Sequence, residues 1–131
     1  MGTQRQYTGT AGRTENAQVA VYLAYAAAAG SAFIDRALYL PRSWTDDPDR
    51  CRAAGVPPEV VFATKPALAR QMITRALDAG TPAAWVTGDE VYGQDPRLRA
   101  EIARPRADHR RRVLPAPPKT SHQPPAQQRA H

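Results

Sequence analysis

The sequence predicts an α/β fold: a β-hairpin, a short helix, an amphipathic helix, a strand and a further helix within residues 1–103, followed by a disordered tail over residues 104–131. Three observations carry this expectation. Two apolar stretches, Gln18 to Ala28 and Ala32 to Leu40, flank the turn signal Ala29-Gly30-Ser31, which is how an antiparallel pair reads. Pro66 to Ala79 places its apolar residues at helical spacing. Beyond Ile102 the chain has no aromatic residue, 6 of its 13 prolines, and only Val113 and Leu114 as larger aliphatics, too little apolar surface to offset the entropy of ordering.

Gln4 to Asn16 is polar and contains Thr8, Gly9, Thr10, Gly12 and Thr14, so it is expected to be a loop or an irregular strand end. In the hairpin, alanine favours helix on propensity alone, while Val19, Val21, Tyr22 and Tyr25 favour a strand. Asp35 lies in the second strand between Ile34 and Arg36. A lone carboxylate there could be a metal ligand, and the plainer reading is an outward-facing Asp beside Arg36. Pro41 ends the strand, and Trp44 to Gly55 contains a short helix opened by Asp47-Pro48 and closed by Gly55. Asp46, Asp47 and Asp49 suggest a metal site, but acidic residues in a first helical turn more often serve the cap and the helix dipole.

Along Pro66 to Ala79, Leu68, Ala69, Met72, Ile73, Ala76 and Leu77 fall in one half of the helical wheel, with Arg70, Gln71, Thr74, Arg75 and Asp78 in the other. This helix should lie on a sheet, stop at the left-handed position of Gly80, and be kept from continuing by Pro82. Ala83 to Thr87, with Trp85 and Val86, reads as a short buried strand. Asp89 falls just past its carboxyl end, where open α/β sheets present ligand and catalytic groups, although an Asp-Glu pair in such a loop is often a solvated turn. Asp95-Pro96 opens the next helix. The order strand, crossover helix, strand is βαβ-like.

Charge and cysteine content narrow the function classes. The chain of 131 residues makes at most one domain of ordinary size. Its net charge is +6, yet residues 1–103 hold 11 Lys/Arg against 11 Asp/Glu, and the last 28 residues hold 7 basic groups against Asp108. The high isoelectric point therefore belongs to the tail and does not make the body a nucleic-acid-binding domain. Arg110, Arg111 and Arg112 are candidates for non-specific phosphate contacts, or simply a solvated charge run. Cys51 stands alone, which excludes an intramolecular disulfide and fits a cytoplasmic protein. Val19 to Gly30, after Arg5 and Arg13 and ending in AAAAG, imitates a secretory signal, but Tyr22, Tyr25 and the polar segment ahead of it argue otherwise. It is also shorter than the ~20 apolar residues needed to cross a bilayer, so no membrane partner is expected.

Four blocks, QYTGTAGRTENAQV, SAFIDRALYLPRSW, FATKPALARQMITRALDAG and WVTGDEVYG, in this order between Gln4 and Arg99, resemble the insertion-sequence transposases of the DDE superfamily. The resemblance implies an RNase H-like catalytic core, here a partial one, and transposon-end and target DNA as partners. It also implies Mg²⁺ or Mn²⁺ as cofactor. The acid of Gly88-Asp89-Glu90 matches the second of the family's three carboxylates, which makes Asp89 the candidate catalytic and metal-binding residue. Such enzymes cut a phosphodiester and join the freed 3′ hydroxyl to target DNA, with two metal ions activating the attacking oxygen and stabilising the leaving one. By this resemblance the first acid lies before Met1 and the final glutamate lies beyond the matching region, and Glu101 is too near Asp89 to replace it.

The expectation is therefore a transposase fragment inactive by itself. The alternative is a small non-catalytic nucleic-acid-binding protein that uses its basic tail. The abrupt Arg/Pro/Ala/His/Gln vocabulary after Ile102 suits either a frameshifted reading or a natural basic tail.

Overall fold

The computed structural model describes residues 1–8, 12–106 and 112–113. Strand β1 (Gln4–Thr8) pairs antiparallel with β2 (Arg13–Ala17), and β3 (Val19–Ala27) pairs antiparallel with β4 (Gly30–Tyr39). Helices α1 (Arg42–Thr45), α2 (Pro48–Ala53) and α3 (Lys65–Asp78) follow. Next come β5 (Trp85–Val86), α4 (Glu90–Gly93), α5 (Pro96–Ala103) and β6 (Arg112–Val113), which pairs parallel with β5. The fold is mixed α/β, with three separate two-stranded sheets among the described residues.

The hairpin β3–β4, the capped α2, the amphipathic α3 and the Asp95-capped α5 all form where the residue pattern places them. Asp47, Thr64 and Asp95 each accept a backbone N–H of the first turn of their helices, at 3.0, 3.2 and 2.7 Å, and each is followed at the first or second helical position by proline. After α3 the chain closes in a Schellman-type turn: Thr81 N–H donates to the Ala76 carbonyl at 3.0 Å, and Gly80 sits at φ +85°.

Three expectations are corrected. The stretch expected as a loop or an irregular strand end carries two regular strands instead, β1 and β2, in register from Gln4↔Ala17 to Thr8↔Arg13. A local antiparallel ladder forms without an apolar face, and the Gln6 side-chain amide reinforces it by donating to the carbonyls of Gly2 and Ala17. Asp35 does not face outward. Regular alternation along β4 puts Asp35 on the same face as Ala37, opposite Leu23, on the side facing α3, where its Oδ2 accepts from Nη2 and Nε of Arg75 at 2.8 and 3.2 Å. The segment after α3 is a strand only at Trp85–Val86, and Trp85 is 48% exposed. It shares no sheet with β3–β4, so only Val86 packs on the core.

The main core gathers Val21 of β3, Ala69, Met72, Ile73 and Leu77 of α3, and Leu98 and Ile102 of α5. A second cluster, Leu40, Trp44 and Val56, closes the α1–α2 end. In the segment expected to be disordered, Arg104 and Arg106 pair with Asp78 and Glu101 and Arg112–Val113 form β6. The rest of that segment, from residue 107 on, lies outside the described residues.

Three carboxylates titrate below their usual range. The Arg75 hydrogen bond, opposed by burial and aided by the Arg36 amide, lowers Asp35. Arg106 lowers Asp78. Burial pushes Glu101 up, but the Thr74 hydroxyl together with Arg106 and Arg104 outweighs it, and the net shift is downward. Because the folded values are depressed, these contributions are complete above the unfolded values near pH 4 and are lost as pH falls through the folded ones. The melting temperature should therefore drop from about pH 5 to about pH 3, and Arg75→Gln should flatten the drop. Exposure of Arg75 limits the Asp35 pair to roughly 0–1 kcal/mol. Identical pH dependence in the variant would show that the pair contributes nothing.

Candidate functional site

Asp89 occupies the junction between β5 and α4. Its Oδ1 accepts the Val91 N–H at 3.0 Å, so the carboxylate caps α4. The side chain is exposed, and Oδ2 makes no hydrogen bond among the described residues. The local sequence enforces this placement. A Cβ at Gly88 would lie 3.2 Å from Cβ of Tyr92, so glycine lets the turn close on the Tyr92 side chain. Tyr92 is half-buried, and its phenol is raised above the ordinary value by burial and then by the charge of Asp89.

Asp89 stands at the rim of a cleft of about 890 Å³ bounded by β1, β3, β4, the start of α3 and α4. Tyr7, Tyr22 and Tyr92 supply aromatic surface, and Arg36 and Lys65 supply positive charge. The Lys65 ammonium also lies 5.4 Å from the centre of the Tyr39 ring, a cation–π distance. None of these companions was singled out from the sequence. Lys65 and Arg36 are 29 residues apart in the chain, and only the packing of α3 beneath the hairpin brings them to one cleft.

The other candidate residues do not join Asp89. Asp35 is committed to Arg75, and Glu101 to Arg104 and Arg106. Asp47 caps α2 and Asp49 pairs with Arg52 at 3.1 Å, so that acidic cluster serves the helix. Arg110 and Arg111 lie outside the described residues, and Arg112 contributes its backbone to β6. Among the described residues no three His, Cys, Asp or Glu side chains gather in a way that could hold a metal ion. Asp89 offers one oxygen, whereas a two-metal centre needs several anionic oxygens. The donor set of the described residues therefore does not fit such a centre. Also among the described residues, no helix is long and apolar enough to cross a membrane.

The described site is thus an exposed carboxylate at a strand–helix junction, beside a cleft that carries positive and aromatic groups. The family model described as DDE superfamily endonuclease matches residues 1–130, and the chain belongs to that family. No curated protein and no solved structure matches it.

Proposed function

We propose that this chain is the portion of an insertion-sequence transposase that contributes one metal-binding carboxylate, Asp89, on a partial RNase H-like body, and that it does not cleave or join DNA alone. The observation that carries this reading is the position of Asp89. One oxygen is held by the Val91 amide, the other is available, and the cleft beside it displays Arg36 and Lys65. Those cations suit a phosphate backbone, and the tyrosines suit unpaired bases. Family membership supports DNA as the partner. Inactivity follows from the donor set: a single available carboxylate oxygen cannot offset the dehydration of two hard cations.

The test is incubation of the purified chain with labelled transposon-end DNA and Mn²⁺. No cleavage product is expected. Metal-dependent cleavage abolished by Asp89→Asn would overturn the proposed inactivity. A salt titration of DNA affinity checks the cleft separately, since phosphate contacts give an affinity that falls steeply with salt. Arg36→Gln with Lys65→Gln should weaken binding and flatten that slope. An unchanged slope would move the binding surface to basic groups elsewhere in the chain.

A further inference from the structure

Four side chains form a continuous stack where the hairpin β3–β4 meets the helices. The Arg42 guanidinium, at the start of α1, lies 4.1 Å from the centre of the Phe62 ring. Phe62 meets Tyr39, the last residue of β4, nearly edge-on, with ring centres 6.3 Å apart and planes at 69°. Tyr39 in turn carries the Lys65 ammonium 5.4 Å from its ring centre. Each spacing falls within the range of a favourable ring–ring or cation–π contact, and Tyr39, Phe62 and Lys65 are all half-buried.

Arg42 and the two rings are enough to fasten the chain between α2 and α3 to the end of the hairpin. Lys65 adds nothing that such fastening needs. It stands at the first position of α3, where the partial positive charge of the helix terminus repels a cation. Among the described residues no carboxylate forms an ion pair with it. The negative face of the Tyr39 ring offsets that repulsion and restrains a side chain that is otherwise long and flexible. A ring also differs from a carboxylate in what it leaves to the cation. It attracts the ammonium without cancelling its charge and without occupying all three of its N–H donors. The group so restrained lines the cleft together with Arg36 and Asp89.

We propose that Tyr39 is a positioning residue for phosphate recognition: its ring, braced by Phe62 and Arg42, holds the Lys65 ammonium at the cleft for a phosphate of the DNA backbone. This rests on the reading of the cleft as a DNA-contacting surface given above, and adds to it the group that prepares one of its two cations. An ammonium already held in place gives up little side-chain freedom on binding, which is how preorganisation raises affinity.

The test measures the affinity of the full chain for a labelled DNA duplex with an unpaired end, over a series of salt concentrations, in a double-mutant cycle. Lys65→Gln should weaken binding about tenfold at low salt and lower the salt slope by about 0.7–0.9, the value of one phosphate contact. Tyr39→Leu should weaken binding about two- to fivefold, and should have no further effect once Lys65 is replaced. Tyr39→Phe keeps the ring and should bind like the unaltered chain. Additive losses, equal losses for Tyr39→Leu and Tyr39→Phe, or tighter binding by Tyr39→Leu would each overturn the proposal, the last because the ring would then be withholding Lys65 from DNA. The unaltered chain supplies a second measurement that does not depend on how Tyr39→Leu folds. Nuclear Overhauser contacts between the Lys65 ε-methylene and the Tyr39 ring should be present in the free chain and persist with DNA bound, and their loss on binding would also overturn it. Lys65→Gln without effect while Arg36→Gln weakens binding would sink this inference alone. If neither substitution matters, or the unaltered chain binds no DNA, the reading of the cleft falls with it. Inorganic phosphate that competes as well as unlabelled DNA at equal phosphate concentration would make a free phosphate the ligand and overturn the assignment to DNA.

Discussion

Met72→Asp should abolish cooperative folding of the main body, while Arg70→Ala, two residues away on the same helix, should leave its melting temperature nearly unchanged. Met72 is 1% exposed and lies where α3 meets both β3 and α5, within the cluster of Val21, Ile73, Leu98 and Ile102. No cation among these neighbours can pair with an introduced carboxylate. Burying it uncompensated costs several kcal/mol, comparable to the roughly 5–15 kcal/mol that holds a small domain together. Arg70 is half-buried on the opposite half of the helix, outside the core cluster, and its truncation leaves no buried charge, so the cost should stay within about 1 kcal/mol. Far-UV circular dichroism on heating measures both. Equal melting temperatures would mean that the buried face of α3 is wrongly assigned.

Local rules made much of this fold legible. A turn signal between apolar runs gave the β3–β4 hairpin, proline and cap residues gave the starts of α2 and α5, and 3.6-residue periodicity gave α3 and its buried face. These features depend on residues within a few positions of each other. The failures share the opposite property. The β1–β2 hairpin is stabilised by its ladder and by Gln6, with no apolar alternation to announce it. The inward turn of Asp35 depends on which face of β4 is covered by α3 and its Arg75, and alternation along a strand does not say which of its two faces will be covered. The exposure of Trp85 depends on what lies beside β5, and a strand's own residues do not specify its neighbours. The same division holds at the site. Asp89 and its position after the strand were legible in the Gly-Asp-Glu motif, but Tyr92 joins it from α4, and Tyr7, Tyr22, Arg36 and Lys65 reach the cleft from four other elements.

The second large effect is expected at Trp44, the centre of the smaller cluster. Trp44 is 6% exposed between Leu40 and Val56, and the Arg50 guanidinium lies 4.0 Å from the centre of its ring. Trp44→Ala should cost about 3–5 kcal/mol, the usual range for emptying a packed aromatic site. Because this cluster is separate from the α3 core, the loss should appear first as local opening. Amides of α1 and α2 should exchange freely while those of α3 keep their protection.

The indole also carries a penalty of its own. Its Nε1 is buried and has no hydrogen-bond partner among the described residues, a condition that costs about 1–3 kcal/mol. Trp44→Phe removes that unsatisfied donor while keeping a ring beneath Arg50, so the lost packing and the relieved donor should nearly cancel. Hydrogen exchange on both variants separates the two terms: phenylalanine should retain protection in α1 and α2, and alanine should not. If phenylalanine opens this end as completely as alanine does, the Trp44 N–H has a partner and the cluster depends on that bond more than on the volume of the ring.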